Sequence, residues 1–184
     1  AFGVTRGLHE EFGPERVIDM PVSEAGYTGC GVGAAATGLR PVIELQFSDW
    51  ITIASDQLIN QAANMRYMFG GQMSVPLVIR AVGGGGRQLG ATHSQTPDVI
   101  FAHFPGLKVV APGTPYDAKG LLKSAIRDDD PVIFMESEVM YGDRAMVPED
   151  EYIQPMGVAD VKKEGNDATL ISFGKMMKVA FKAA

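Results

Sequence analysis

Five short runs rich in valine, isoleucine and leucine alternate with longer stretches of helical character. This alternation constrains the fold more than any other feature of the sequence. Short apolar runs without a polar face are typical of strands buried on both sides, as in parallel sheets. The stretches between them are long enough for helices that connect such strands. The predicted strands are Val17–Met20, Pro41–Leu45, Val75–Val82, Leu107–Ala111 and Val132–Met135, and the predicted helices are Thr28–Gly38, Trp50–Phe69 and Pro115–Asp128.

This order predicts an α/β fold with a mostly parallel sheet and helices on both faces. The pattern changes after Met135, where an acidic stretch interrupted by prolines follows. The last part reads as two strands around a Gly-Asn-Asp turn, then a helix, which is how a second α/β domain would start. We therefore predict a first domain (residues 1–146), a linker (147–156) and an incomplete second domain (157–184). Since no initiator Met opens the chain and its last helix is uncapped, we expect one or both ends to be missing.

Charge and cysteine content exclude several classes of partner. The 184-residue chain has a net charge of −6 and a pI near 5.0, which argues against nucleic acid or an anionic membrane as the main partner. It contains no apolar run of the roughly 18 to 20 residues that a membrane span needs. The single cysteine, Cys30, excludes an internal disulfide and is typical of a reducing compartment.

A G-x-G-x-x-A spacing at Gly29, Gly31 and Ala34 raises the possibility of an NAD-binding domain. In that fold the first glycine follows its strand almost directly. Here "SEAGYT" separates the strand from Gly29, and the acid that binds the ribose would have to be Glu44. Small residues also allow a helix to lie close to a sheet, so packing is the alternative explanation. NAD binding therefore remains an alternative function at this point.

A second glycine-rich segment, Gly83–Gly86, follows the predicted strand Val75–Val82. No Lys-Ser or Lys-Thr pair follows it, so the phosphate-binding mechanism of a P-loop has no lysine and no hydroxyl ligand for a metal. Loops at the carboxyl ends of strands are where α/β sheets bind ligands. His93 lies at the far end of this loop, which makes it a candidate catalytic residue.

Glu24 lies between the first predicted strand and the helix, which we expect to begin near Thr28. One interpretation is an ordinary acid near a helix N-terminus, favoured by the helix dipole. The other is a carboxylate held in the loop beside apolar groups, where it could relay a proton. The residues alone leave both open.

Several long segments of the chain resemble one enzyme family. "PVSEAGYTGCGVGAAATGLRPVIELQF", "DQLINQAANMRYMFGG", "HSQ", "PGLKVVAPGTPYDAKGLLKSAIRDDDPVIFMESEVMYG" and "QPMGVADVKKEG" resemble the β subunits of thiamine diphosphate-dependent 2-oxo acid dehydrogenases. These are the decarboxylating components of pyruvate, branched-chain 2-oxo acid and acetoin dehydrogenase complexes. The resemblance implies a pyrimidine-binding domain of the transketolase type up to about Met146. It also implies the start of a transketolase C-terminal domain from about Gly157.

The resemblance implies a role for each candidate site residue. Glu24 matches the acid that hydrogen-bonds N1′ of the cofactor's aminopyrimidine and so promotes removal of the thiazolium C2 proton. His93 matches a loop histidine implicated in stabilising the bound intermediate and in acyl transfer to the lipoyl arm. Trp50 falls where the family has an aromatic residue beside the pyrimidine, although a core tryptophan that opens a helix is the alternative. Gln46, at the same strand end, is a further candidate for cofactor binding.

The resemblance also implies ions and partners. "KSAIRDDDP" is similar to a segment that binds potassium in some members, with Leu77, Ala125, Ile126, Asp128 and Asp130 as the candidate ligands or their neighbours. The G-D-G and asparagine motif for the diphosphate and magnesium is not in this sequence. The resemblance places that motif on a separate α subunit.

We therefore expect an α2β2 tetramer docked on a lipoyl-bearing acyltransferase, acting on a 2-oxo acid in the bacterial cytoplasm or the mitochondrial matrix. A transketolase-like transferase subunit and a catalytically idle scaffold subunit remain alternatives. The β-subunit residues do not identify which 2-oxo acid is the substrate.

Overall fold

A four-stranded sheet forms the centre of the computed structural model, which describes residues 2–184. All neighbouring strands are parallel, and their spatial order is β1-β2-β4-β3. Ile79 in the second strand lies opposite Ile43 on one side and Ile133 on the other. The predicted parallel α/β sheet is therefore confirmed. The strands are β1 (Val42–Leu45), β2 (Val78–Gly83), β3 (Lys108–Val110) and β4 (Val132–Ser137).

Helices cover both faces of this sheet, as the apolar runs predicted. On one face, alternate strand residues such as Ile79 and Ile133 pack in the main core, with Val32 and Ala35 of the helix α2 (Glu24–Ala36). On the other face, the strand residues of opposite parity form a second core with the helix α5 (Pro115–Arg127). The remaining helices are α1 (Leu8–Phe12), α3 (Ala63–Met68), α4 (Asp98–Ala102) and α6 (Met177–Ala183).

The segment predicted as one helix from Trp50 to Phe69 is three pieces. A 3-10 turn covers Ser48–Thr52, a π-helical stretch covers Asp56–Ala62, and the α-helix α3 follows. The side-chain amide of Asn64, near the start of α3, donates back to the carbonyl of Ile59 in the π-helical stretch at 3.0 Å. The periodicity indicated a helical segment but could not indicate that its turns change width.

Two predicted strand regions do not form strands. Val17–Met20 is irregular, and Ile18 within it is exposed. No strand is present in the tail either: within 157–184, only the 3-10 turn Gly174–Met176 and α6 are regular. A strand needs a neighbour that satisfies its backbone groups. Since the structure offers neither segment such a neighbour, their apolar residues alone do not produce a strand.

The predicted linker, residues 147–156, packs along α5. The ring of Tyr152 stacks on Tyr116 with ring centroids 4.4 Å apart, and its hydroxyl donates to the Tyr116 carbonyl at 2.8 Å. The Gln154 amide donates to the carbonyl of Gly120 at 3.3 Å. A Cβ on Gly120 would lie 2.7 Å from the Tyr152 ring, so this glycine provides the room for the contact. The linker is therefore part of the packed structure at this point.

Candidate functional site at the carboxyl edge of the sheet

Glu24 is the first residue of α2, and it is only 7% exposed. The expectation that the helix begins near Thr28, with Glu24 in a loop, is wrong. Ser23 occupies the N-cap position but its side chain makes no capping hydrogen bond. No donor in residues 2–184 bonds the Glu24 carboxylate. An acid that merely stabilises a helix dipole is normally solvated, so burial distinguishes Glu24 from that role.

The direction of α2 places Glu24 at the carboxyl edge of the sheet. The helix precedes β1 and runs against it, with Gly31 packed on Ile43 and Leu77. Glu24 lies about two helical turns from Gly31, on the side where β1 ends. This is the edge at which parallel α/β sheets bind ligands. Glu24 and the residues that follow β1 and β2 therefore share one edge.

Glu24 also affects a neighbouring tyrosine. The pKa of Tyr27 is raised from 10.0 to about 12, chiefly because burial disfavours the phenolate and additionally because the Glu24 charge lies nearby. Tyr27 is half-buried against the main core. Tyr27 thus lies close enough to Glu24 for its titration to respond to the carboxylate charge.

The residues that follow β1 form a tight turn at the same edge. Gln46 is exposed, and its side chain has no hydrogen bond within residues 2–184. Trp50 is half-buried in the 3-10 turn Ser48–Thr52. It therefore does not open a long core helix, which was the alternative for this residue. Its indole lies at the edge, with its centroid 5.4 Å from the ring of Phe47.

His93 lies against this turn. Its ring centroid is 4.4 Å from that of Phe47 and 5.6 Å from that of Trp50, both in edge-on arrangements. The Thr92 hydroxyl is 3.0 Å from His93 Nδ1, which leaves Nε2 as the other ring nitrogen. The structure thus brings together two residues, Trp50 and His93, that the sequence separates by more than forty positions.

Backbone contacts join the two loops that carry these rings. The Ser48 hydroxyl donates to the carbonyl of Gln95 at 3.2 Å, and the amide of Gln95 donates to Asp49 Oδ1 at 3.1 Å. Ser48 is 0% exposed and Asp49 is 8% exposed. The sequence analysis missed Phe47, Ser48 and Asp49. Their position directly after a strand was the one signal that could have identified them.

A buried charged group on the α5 face of the sheet was missed as well. Arg80 is bonded by Glu136 through both Nε and a terminal nitrogen at 2.7 Å, and by Glu44 at 2.9 Å. Tyr141 donates to the same Glu136 carboxylate. Burial acts to lower the pKa of Arg80, but Glu136 outweighs it and the pKa is raised. Burial and then Glu136 raise the pKa of Tyr141 above its usual range. Glu44 is thus a partner of Arg80, which leaves the ribose-binding role without support.

One glycine of the G-x-G-x-x-A pattern, Gly31, has a packing role. Gly29, Gly31 and Ala34 lie inside α2, several residues after its start, so they form no phosphate-binding turn before a helix. A Cβ on Gly31 would lie 2.3 Å from Ile43 Cδ1. By contrast, Gly84–Gly86 follows β2 and leads towards His93, as predicted for a loop, whereas Gly83 is the last residue of the strand.

The predicted potassium ligands lie near one another, but several of their oxygen atoms already accept hydrogen bonds from nitrogen atoms of the protein. Lys108 Nζ bonds both carboxylate oxygens of Asp128, at 2.7 and 2.8 Å, and pairs with Asp130 at 3.1 Å. The carbonyls of Leu77, Ala125 and Ile126 accept hydrogen bonds from Val132 N, Asp128 N and the Arg40 guanidinium. The Asp128 side chain does not fit the ligand role while an ammonium group occupies it. A potassium site built from the carbonyls stays a prediction.

Two other kinds of site are absent from the described part of the chain. Residues 2–184 contain no group of three or more His, Cys, Asp or Glu side chains that could hold a metal ion. No helix in this range has the length and apolar character to cross a membrane.

Comparisons with known proteins agree with this arrangement. Residues 1–143 match the family model described as transketolase, pyrimidine binding domain. A solved split-gene transketolase, an inactive β4 tetramer, superposes with a TM-score of 0.79, covering 100% of this chain and 57% of that chain. Its sequence is 22% identical to this one, so that likeness supports the fold alone.

Curated relatives are more similar in sequence. The β subunit of acetoin:2,6-dichlorophenolindophenol oxidoreductase from Bacillus subtilis is 53% identical across 99% of this chain and 53% of its own length. The 2-oxoisovalerate dehydrogenase β subunit of the same organism is 50% identical across 100% of this chain and 56% of its own length.

The β subunit of the pyruvate dehydrogenase E1 component from Rhizobium meliloti is 51% identical across 100% of this chain and 40% of its own length. The chain therefore spans about half the length of the curated relatives it matches, and the resemblance to these β subunits is confirmed. On the family match and the parallel fold together, the chain belongs to the transketolase pyrimidine-binding domain family.

Proposed function

We propose that this chain provides the pyrimidine-binding side of a thiamine diphosphate site, in the β subunit of an enzyme that oxidatively decarboxylates a 2-oxo acid. The observation that carries the proposal is Glu24 at the carboxyl edge of the sheet, a residue only 7% exposed whose carboxylate bonds no donor from residues 2–184. A carboxylate held at such a position without a protein donor is available to a ligand that donates a hydrogen bond to it. N1′ of an aminopyrimidine, when protonated, is such a donor.

The residues of the edge fit this cofactor. Glu24 would hold a proton at N1′, and the low exposure of this residue would strengthen that hydrogen bond. Trp50 and Phe47 provide aromatic surface that excludes water beside the ring. Gln46 adds an exposed amide at the end of β1. Bound thiamine diphosphate itself supplies a carbon nucleophile and an electron sink for the decarboxylation.

His93 would act on the substrate side of the same site. Since Thr92 engages Nδ1, the Nε2 atom remains for the substrate. A histidine in this position can donate to oxygen atoms that gain negative charge during the reaction, and it can transfer a proton to them. We propose that it does so during decarboxylation and during acyl transfer to a lipoyl group.

The site as proposed needs a second subunit. The sequence does not contain the G-D-G and asparagine motif. Residues 2–184 also contain no group of three or more acids, histidines or cysteines that could hold a metal ion. We propose that an α subunit holds the diphosphate and magnesium, that the pair forms an α2β2 tetramer, and that a lipoyl-bearing acyltransferase accepts the acyl group. The names of the relatives, each a β subunit, support the partner. A bacterial cytoplasm or a mitochondrial matrix would be the location.

The substrate class is a 2-oxo acid or the related acetoin. The three relatives named above act, by name, on acetoin, 2-oxoisovalerate and pyruvate, and their identities to this chain lie within three percentage points of one another. Overall similarity therefore does not select among the three. An NAD-binding function has no comparable support, because its glycine pattern lies within α2.

The test uses the natural full-length chain purified with its α partner. Dye-linked oxidation of pyruvate, 3-methyl-2-oxobutanoate and acetoin is measured with and without thiamine diphosphate and magnesium. We expect cofactor-dependent turnover, and a Glu24→Gln variant that assembles normally but loses at least about 100-fold in rate because N1′ loses its proton partner. Glu11→Gln, which changes an exposed acid in α1, is the matched control and should be fully active.

Two outcomes would count against the proposal. Normal turnover by Glu24→Gln would remove the proton-holding role. A well-formed tetramer that oxidises none of the three compounds would favour a scaffold subunit, or a transketolase-like enzyme if it transfers two-carbon units between sugar phosphates.

A further inference from the structure

We propose that Ser48 and Asp49 are positioning residues for His93, and that they act by holding the loop of His93 through the backbone of Gln95. The proposal rests on the proposed function, in which His93 meets the substrate. It assigns a role to two residues that make no contact with the His93 ring themselves.

Two hydrogen bonds hold one residue, Gln95, and we call this pair of bonds the grip. Ser48 Oγ donates to the Gln95 carbonyl at 3.2 Å, and Gln95 N donates to Asp49 Oδ1 at 3.1 Å. A single hydrogen bond fixes a distance but allows rotation about it. Two bonds to the amide and carbonyl of the same residue also fix the direction of the chain. Gln95 is two residues beyond His93, so its orientation determines where the histidine backbone lies.

Burial of the two side chains shows that this grip is part of the packed structure. Ser48 is 0% exposed and Asp49 is 8% exposed. The amide of Gln95 is the one donor from residues 2–184 that bonds the Asp49 side chain, and Oδ2 is buried without a partner. Removing Asp49 would leave that amide without its acceptor, while removing Ser48 would leave the carbonyl without its donor.

The residues on either side complete the contact with the loop. Phe47 and Trp50 touch the His93 ring from two directions, with centroids 4.4 and 5.6 Å away. Of the four consecutive residues Phe47, Ser48, Asp49 and Trp50, the outer two therefore contact the loop through their rings and the middle two through hydrogen bonds. Hydrogen bonds tolerate a narrower range of angles than ring contacts do, so those of the two middle residues restrict the orientation of the loop more strictly.

The start of the loop is equally close to the histidine. A Cβ on Gly84 would lie 2.2 Å from the His93 carbonyl oxygen, so the loop returns tightly on itself there. His93 is thus held between Gly84 on one side and the Phe47–Trp50 turn on the other. Loss of the grip on Gln95 releases one of these two sides. A displacement of about 1 Å at a reacting group can reduce the rate by about 100-fold.

The experiment uses the full-length chain assembled with its α partner and combines hydrogen exchange with kinetics. The variants are Ser48→Ala, Asp49→Ala and Asp49→Asn, which keeps an oxygen acceptor for Gln95. Ser55→Ala is the matched control, because its hydroxyl also bonds a backbone carbonyl in this segment, that of Ile51 at 3.3 Å, but does not touch the loop.

We expect faster amide exchange at Gln95 in Asp49→Ala and a 10- to 100-fold fall in kcat with a smaller change in KM. Asp49→Asn should restore most of the exchange protection at Gln95 and most of kcat. Ser48→Ala should show smaller changes in both quantities, in the same direction as Asp49→Ala. Ser55→Ala should leave exchange at Gln95 and kcat unchanged.

The proposal is overturned if Asp49→Ala leaves Gln95 exchange unchanged, if Asp49→Asn fails to restore it, or if Ser55→Ala has the same effects. Ser48→Ala keeps the test informative if Asp49→Ala does not assemble. Failure of the proposed function is a separate result: the unaltered complex would then oxidise no 2-oxo acid, while Gln95 exchange would still report whether the grip exists.

Discussion

Two glycines in one helix allow a stringent test of how α2 packs on the sheet. Gly31 is buried, and a Cβ there would lie 2.3 Å from Ile43 Cδ1 and 3.5 Å from Leu77 Cδ1. Gly33 is exposed, and a Cβ there would have nothing within 4 Å. The same substitution, glycine to alanine, should therefore stabilise the protein at Gly33 but not at Gly31.

The magnitudes follow from two contributions. Alanine is favoured over glycine inside a helix by about 0.8–1.0 kcal/mol, and this gain applies at both positions. An extra methyl group forced into a packed core costs about 1–3 kcal/mol, and this cost applies at Gly31 alone. Gly33→Ala should raise the free energy of unfolding by about 1 kcal/mol. Gly31→Ala should change it by between roughly zero and −2 kcal/mol, so the two variants should differ by about 1–3 kcal/mol.

Urea unfolding of the full-length chain measures this difference. Trp50 is the one tryptophan of the 184 residues printed here, and its fluorescence can be followed together with circular dichroism. With an m-value of about 2 kcal/mol/M, a difference of 2 kcal/mol separates the two midpoints by about 1 M. Equal midpoints for Gly31→Ala and Gly33→Ala would refute the close packing of α2 on Ile43. Gly29→Ala, whose Cβ would meet the flexible Gln57 side chain at 3.4 Å, should lie between them.

Two predictions concern titration. In Glu24→Gln the pKa of Tyr27 should fall below its value of about 12 but stay above 10.0, because the nearby charge is lost while burial remains. Ultraviolet titration against a Tyr27→Phe reference measures this pKa. An unchanged pKa would contradict the electrostatic interaction between Glu24 and Tyr27. At Asp117, burial acts to raise the pKa, but hydrogen bonds from Lys162, Gln154 and Thr114 outweigh it and lower the pKa below 3.8. A lowered pKa contributes stability above pH 3.8 that is lost as the pH falls through the folded-state value. Lys162→Met should therefore destabilise the protein by about 1–2 kcal/mol near pH 7 and by less below pH 3.8. Urea unfolding at both pH values measures this loss, with Lys163→Met, a change at an exposed lysine, as the control. A loss of stability that does not depend on pH would contradict the prediction.

The sequence predicted the sheet well because its two central strands, β2 and β4, are buried along most of their length. Such strands are continuous apolar runs, and β1, β2, β3 and β4 all fall within or overlap the predicted ones. The same criterion failed at Val17–Met20, because an apolar run indicates burial or pairing only if a neighbour exists. Which strands lie side by side is decided by contacts far apart in the chain, and no local pattern contains that information.

The sequence identified several residues of the candidate site but not the contacts between them. Glu24, Trp50 and His93 follow from their places at strand and helix ends and from the family resemblance. The start of α2 at Glu24 was missed because Gly26 reads as a helix breaker, although one glycine is tolerated within a helix at a cost of about 1 kcal/mol. Ser48 and Asp49 were missed because their partner is a backbone group of Gln95, and backbone partners leave no mark in the sequence.

The buried group formed by Arg80, Glu44 and Glu136 has a consequence for how the strands find each other. It takes one charged side chain from each of β1, β2 and β4, all on the α5 face. If β2 paired one residue out of step, Arg80 would turn to the other face, where the core is apolar. An ionised guanidinium there would have no carboxylate beside it. Apolar strands such as these could shift their register at little cost. The three charged side chains therefore specify one register, because the adjacent registers would separate Arg80 from its carboxylates.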